Sequence, residues 1–261
     1  MISIMGVGKM GSAIAAGLIA NGQGEDLVLV VRPGSDTSVI AERFPDVRIE
    51  EKPVACDGAV IAVKPKDVAI AASDAAQAGA KRILSVAAGI TLSALHDAAG
   101  GKIPVLRSMP NVGAQVQQSA TAVCASAAAT EDDLLWAESV LEPLGTVVRV
   151  AEAQMDAVTG LSGSGIAFVL LVLESLIDAG VSAGVDAVTA RNLAIATVQG
   201  AGALAAAGDE PIAALRGKIT TPAGTTVAGL RVLEQRAVRA AFIDAVAASA
   251  ERSSEIGKLP H

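Results

Sequence analysis

Short β-branched runs alternate with alanine-rich stretches of helical spacing through the first 150 residues of this 261-residue chain. Ile2–Met5, Leu27–Val31, Val47–Ile49, Ala59–Val63, Ile83–Val86 and Val105–Arg107 read as strands, bounded by Gly, Pro, Asn and Asp. Between them Met10–Asn21, Asp36–Phe44, Lys66–Ala78 and Thr91–Ala99 read as helices. Units of strand, helix and strand at this pace predict a parallel sheet with helices on both faces. One further unit follows: a strand at Thr121–Cys124, a helix over Glu131–Leu141 with Thr130 as its N-cap, and a strand at Val147–Val150. Past Val150 the pattern changes to long Ala/Leu/Val-rich helical stretches, broken at Gly160–Gly165, Gly180–Val185, Gly208–Pro211 and Thr221–Gly224. The change predicts two domains, 1–150 and 151–261, joined without a flexible linker.

Composition sharpens this picture. The chain is 52% hydrophobic and only 18% charged, with three Phe, one Trp and no Tyr, so its apolar bulk is aliphatic. That excludes a disordered chain, and two cysteines, Cys56 and Cys124, exclude a disulfide-stapled scaffold. A net charge of −7 without a basic cluster argues against nucleic acid. The longest unbroken apolar run, Ile166–Leu173, ends at Glu174, well short of the ~20 residues of a spanning helix. The expected setting is cytoplasmic, with reduced thiols and no membrane partner. So few charges also leave apolar surface for a second subunit to cover.

Gly6-Val7-Gly8-Lys9-Met10-Gly11 follows a strand and opens a helix, the context in which G-x-G-x-x-G marks a dinucleotide site. The first glycine permits the turn, the second lets the pyrophosphate approach the helix N-terminus, and the third allows close packing of helix on strand. The first domain is therefore expected to be a Rossmann-type doubly wound α/β sheet and the second an all-α domain. At the end of the second strand stands Arg32-Pro33-Gly34-Ser35, with no carboxylate to hold a ribose 2′-hydroxyl. Arg32 and Ser35 suit a 2′-phosphate, which favours NADPH and leaves NADH as the lesser option; the alternative for Arg32 is an ordinary solvated charge. Lys64, in Ala62-Val63-Lys64-Pro65, either faces the cofactor ribose or is a plain loop lysine.

Two glycine-rich helix starts mark the second domain, Gly160–Gly165 and Thr220–Thr226. Free N–H groups at the latter suit a carboxylate, and capping by Thr225 or Thr226 is the simpler explanation of the same residues. With only His96 and His261 as histidines, a metal site is not expected. No lysine lies between Lys102 and Lys218, which sets the chain apart from Rossmann dehydrogenases that use a lysine early in their helical domain.

The chain resembles the pyrroline-5-carboxylate reductases nearly end to end. The resemblance is carried by Gly6–Gly11, the Ala62–Pro65 turn, Ser85–Gly89, Arg107–Asn111, Asp156–Gly165, and above all Thr221–Glu234, followed by Arg239–Ser253. It implies NAD(P)H-dependent reduction of 1-pyrroline-5-carboxylate, a cyclic imino acid, to L-proline. It implies that Lys9 and Met10 join the glycines at the pyrophosphate, and that Val63, Lys64, Pro65 and Ala87 line the cofactor. Ser164 would meet the nicotinamide side, and Gly224, Thr225 and Thr226 the substrate carboxylate. Thr226 would lie near the ring nitrogen as the catalytic hydroxyl, and Glu152 matches a position facing the substrate. Family members form homodimers through interleaved helical domains, often assembled further into decamers.

Departures from the family pattern leave the substrate open. Thr221-Pro222-Ala223-Gly224 replaces the usual Ser-Pro-Gly-Gly, Val112-Gly113 a common Thr-Pro, and Ile166-Ala167-Phe168 a Pro-Ala-Tyr; Ile49 and Glu50 stand where an Asn often touches the ribose. The alternatives are a reductase of another cyclic imino acid, such as the six-membered homologue, or a non-catalytic NADP-binding oligomer.

Overall fold

A computed structural model describes residues 1–257. In chain order the elements are β1 (Ile2–Met5), α1 (Lys9–Ala20), β2 (Leu27–Val30), α2 (Ser38–Arg43), β3 (Arg48–Glu50), β4 (Gly58–Ile61), α3 (Val68–Gln77), β5 (Ile83–Ser85), α4 (Leu92–Ala98), β6 (Val105–Met109), β7 (Ser119–Ala125), α5 (Glu131–Leu141) and β8 (Gly145–Arg149). The helical part follows as α6 (Met155–Val158), α7 (Gly165–Ser182), α8 (Ala187–Ala206), α9 (Ile212–Lys218), α10 (Thr225–Gln235) and α11 (Val238–Gly257).

All eight strands form one sheet in the order β3-β2-β1-β4-β5-β6-β7-β8. Strand side chains alternate between two cores. Met5, Val28, Val30, Ile61 and Ile83 pack on one face with Val68, Ala72 and Leu95 of α3 and α4. Ile4, Leu27, Leu29, Val60 and Leu84 pack on the other with Ile14 and Leu18 of α1 and Val140 and Leu141 of α5. Burial on both faces is what a continuous aliphatic run dictates in a parallel sheet. The β1–α1–β2 and β1/β4 connections leave in opposite directions from β1, which opens a crevice at the carboxyl edge between β1, β2 and β4.

The sheet departs from the all-parallel expectation at one pair. β7 runs antiparallel to β6, and β8 is parallel to β7. Only a 3₁₀ turn over Val112–Val116 and Gln117, at φ +57°, joins β6 to β7, too short a link for the crossover that parallel pairing needs. At α5, Thr130 forms a full capping box with Asp133, as its position before the helix predicts. Cys56 and Cys124 are free and buried, and burial pushes the Cys124 thiol up to about 11.

Two compact units emerge: Met1–Ser164 together with the stretch from Ala247, and Gly165–Val246. The helical unit holds no strand, and its packing is thin. Ala190 and Ala194 are its buried hydrophobic residues, whereas Leu170, Leu171, Val188, Leu193 and Ile243 are exposed. Small residues bring α7 and α8 together, since a Cβ at Gly180 would lie 3.1 Å from that of Ala190. The predicted break at Gly160–Gly165 is instead a π-turn over Thr159–Gly163. The helical stretch Glu152–Ser182 is long and apolar enough to cross a membrane on length and composition, and only 6% of its most apolar window is buried inside this chain. Glu174 and Asp178 interrupt its apolar pattern, so no unbroken apolar run in the sequence has that length.

Candidate cofactor and substrate sites

The turn from β1 into α1 is built around three glycines with three different tasks. Gly6 sits at φ +95°, donates its N–H to Val30 O at 3.0 Å, and leaves no room for a side chain, because a Cβ there would lie 2.8 Å from Val63 Cγ1. A Cβ at Gly11 would collide with the Gly6 carbonyl oxygen. Gly8 differs: a Cβ would meet nothing within 4 Å, so the space beside it is open. Gly8 also caps α1 without a side-chain hydrogen bond, and the first turn holds no acidic residue. The first N–H groups of α1, beginning at Lys9 and Met10, therefore face an open and electropositive helix end suited to a phosphate group.

Beside this turn lies a cavity of about 620 Å³ lined by Gly6, Val7, Arg32, Ser35 and Val63, five of the residues singled out in the sequence. Lys66, Asp67 and Asp74 of the α3 side and Glu51 after β3 line it too. Asp67 Oδ2 is a buried atom without a hydrogen-bond partner, and its nearest cation is Arg32 at 3.7 Å. Arg32 is otherwise free, its side chain 81% exposed. An open helix N-terminus and an exposed guanidinium in one crevice suit an adenine dinucleotide with a phosphorylated ribose, while the unpartnered carboxylate oxygen of Asp67 suits a hydroxyl donor. Lys64 and Pro65 start the 3₁₀ turn into α3; Lys64 is exposed, and its carbonyl accepts the Asp67 N–H at 2.9 Å.

A second, smaller cavity of about 200 Å³ holds Ser164, with Ala88, Gly89, Thr159, Arg252 and Ser253 around it. Ala87, which precedes it on the β5–α4 loop, is buried and donates its N–H to Ser85 Oγ at 3.3 Å. The end of α11 is tied down here, where Ser253 Oγ donates to Asp156 Oδ1 at 2.7 Å. Glu152 is not in this cavity. Its carboxylate accepts the Leu92 N–H at 2.6 Å and lies 3.6 Å from the buried guanidinium of Arg107.

In the helical unit, Gly224 caps α10, and Thr225 and Thr226 are its first residues. No side chain caps that helix end, so the threonines do not perform the capping their position suggests. Gly224 is needed because a Cβ would strike Thr221 Oγ1. Ala223 stands at φ +57°, a left-handed conformation that suits glycine.

Sheet order and glycine turn define a Rossmann-type fold, and residues 1–89 match the family model described as "NADP oxidoreductase coenzyme F420-dependent". Residues 152–256 match the one described as "Pyrroline-5-carboxylate reductase dimerisation". The chain belongs to the pyrroline-5-carboxylate reductase family. It is 38% identical to the pyrroline-5-carboxylate reductase of Methanosarcina acetivorans, over 98% of both chains. To that of Arabidopsis thaliana it is 34% identical, over 98% of this chain and 95% of the relative. A solved structure from Coxiella burnetii, a pyrroline-5-carboxylate reductase, superposes with a TM-score of 0.92 at 30% identity, covering 99% of this chain and 98% of that one. A Plasmodium falciparum pyrroline carboxylate reductase with NADP bound superposes at 0.82 with 27% identity, over 98% of each.

Proposed function

We propose that this chain is an NADPH-dependent reductase that converts 1-pyrroline-5-carboxylate to L-proline. The observation that carries this reading is its 38% identity to a reductase of that name over 98% of both chains. The glycine turn and its crevice agree with it. Bound NADPH supplies a hydride to the imine carbon.

In this reading Gly6, Val7, Gly8, Lys9, Met10 and Gly11 hold the pyrophosphate, Arg32 and Ser35 the 2′-phosphate, and Val63, Lys64, Pro65 and Ala87 the ribose and ring. Ser164 borders the nicotinamide. Gly224, Thr225 and the N–H groups of α10 bind the substrate carboxylate, and the Thr226 hydroxyl, or a water it holds, hydrogen-bonds the ring nitrogen. A cyclic imine protonated at nitrogen is already electrophilic, so the protein contributes orientation above all. A site without Tyr, His or Lys near the substrate is adequate for that chemistry.

Residues 1–150 serve as the dinucleotide domain and 151–261 as the dimerisation and substrate domain. The exposed aliphatic side chains of α7, α8 and α11 fit the face of an obligate homodimer, and dimers could assemble further into a decamer. The same reading explains the apolar length of Glu152–Ser182 as subunit contact instead of membrane span, in a cytoplasmic enzyme with no nucleic-acid partner. The test is NADPH oxidation by the purified protein with 1-pyrroline-5-carboxylate; NADPH binding without turnover would contradict the proposal.

A further inference from the structure

We propose that Glu51 sets how strictly this enzyme prefers NADPH to NADH. The inference rests on the reductase reading and concerns the ribose end of the larger cavity. Arg32-Pro33-Gly34-Ser35 form a tight turn, closed by Ser35 N–H donating to Arg32 O at 3.1 Å. Pro33 in the second position and Gly34 at φ +73° in the third give the geometry of a type II turn. The Gly34 N–H lies outside the turn's own bond, and Glu51 Oε1 accepts it at 3.1 Å. Val31 N–H donates to Glu50 O at 2.9 Å, which keeps the two segments in register and holds Glu51 beside the turn.

This arrangement opposes the two cofactors differently. A 2′-phosphate gains from the Arg32 guanidinium, the Ser35 hydroxyl and any free backbone N–H of the turn. Glu51 occupies one such N–H and places a negative charge against a group that itself carries −1.5 to −2. A 2′-hydroxyl is a donor, and a carboxylate at the ribose is what doubly wound sheets use to hold it in NAD. The sequence places no acid at the end of β2; the structure brings one there from the end of β3. The cavity lining therefore sets the cations Arg32 and Lys66 against the carboxylates Glu51, Asp67 and Asp74. Arg32 attracts the phosphate, and Glu51 moderates that attraction while offering NADH a partner.

The test is Glu51→Gln, which keeps the shape and an acceptor for Gly34 N–H and removes the charge. Steady-state kcat/KM is measured for NADPH and NADH, together with the Kd of each cofactor by fluorescence without substrate. The NADPH:NADH ratio is expected to rise about tenfold, the order of one charge acting on another a few ångströms away through water. It should rise through a lower KM for NADPH and a higher one for NADH, with kcat at saturation little changed. A ratio that moves less than twofold, or falls, overturns the proposal. If the wild-type protein binds both cofactors and turns over neither, the reductase reading fails, and the Kd ratio alone decides the role of Glu51.

Discussion

The carboxylate of Glu152 accepts the backbone N–H of Leu92 at 2.6 Å, across sixty residues of sequence. It thereby caps the start of α4, at the end of the loop that carries Ala87 and Gly89. The same oxygen faces Arg107, whose side chain is 7% exposed. The family resemblance places this position toward the substrate, whereas the geometry engages it inside the sheet domain. Glu152→Ala should leave a buried guanidinium without its counter-charge and lower stability by about 2 kcal/mol. Urea denaturation read beside steady-state kinetics separates the roles: a raised KM for the imino acid with an unchanged denaturation midpoint would return Glu152 to the substrate.

Ala223, at φ +57°, stands one residue before the Gly224 cap of α10. A left-handed alanine is strained by about 1 kcal/mol, partly offset by its smaller loss of chain entropy relative to glycine. Ala223→Gly is expected to raise the unfolding free energy by roughly 0.5 kcal/mol. A fall in the urea midpoint at fixed protein concentration would mean that the methyl group packs usefully where it is.

These two sites differ in how far the sequence announces them. The strand–helix alternation in the first 150 residues and the Thr130 cap of α5 follow from local pattern, so their elements appear within a residue or two of expectation. The antiparallel pairing of β7 on β6 does not, because alternation has no direction; only the shortness of the Asn111–Gln118 link signals it. Gly160–Gly165 reads as a break since glycine disfavours helix, and tertiary packing of Gly163 against Met109 accommodates a π-turn instead. Asp67 at the N-cap of α3 and Ile70 and Asp74 along it line the crevice at near-helical spacing, a pattern the sequence contains but that the Lys64 motif overshadows. Glu51 is legible only through the hydrogen bond that the β2–β3 register brings about.

Arg32 and Lys66 are the cations that line the crevice beside the glycine turn, and Arg32 is held only loosely by Asp67 at 3.7 Å. Loss of one charge-assisted contact to a phosphate corresponds to about 1.5–3 kcal/mol, so Arg32→Ala should raise the KM for NADPH at least tenfold. The KM for NADH should stay within twofold. Equal losses with both cofactors would show that Arg32 serves the shared adenosine and not the 2′-phosphate.

The carboxylate of Asp57, just before β4, accepts twice: from Lys81 Nζ at 2.6 Å and from the Met1 ammonium at 2.9 Å. The Lys81 bond first, and the amino terminus second, hold its carboxyl at about 2, below the ordinary 3.8. A carboxylate with a depressed folded-state pKa stabilises above the unfolded value and ceases to do so as pH falls through the folded one. Asp57→Asn should therefore melt below the wild type at pH 7, with the gap closing between about pH 4 and pH 2. A gap that persists at pH 2 would assign the effect to packing.

At the centre of this enzyme's activity stands reduction of a five-membered cyclic imino acid at the expense of NADPH. The departures at Val112-Gly113, Ile166, Phe168 and Ala223 make the six-membered homologue the informative competitor. NADPH oxidation by the purified protein, followed with 1-pyrroline-5-carboxylate and separately with the six-membered analogue, tests this most directly. Proline is the expected product, with a higher kcat/KM for the five-membered ring. Preference for the larger ring, or NADPH binding with no oxidation on either substrate, would contradict it.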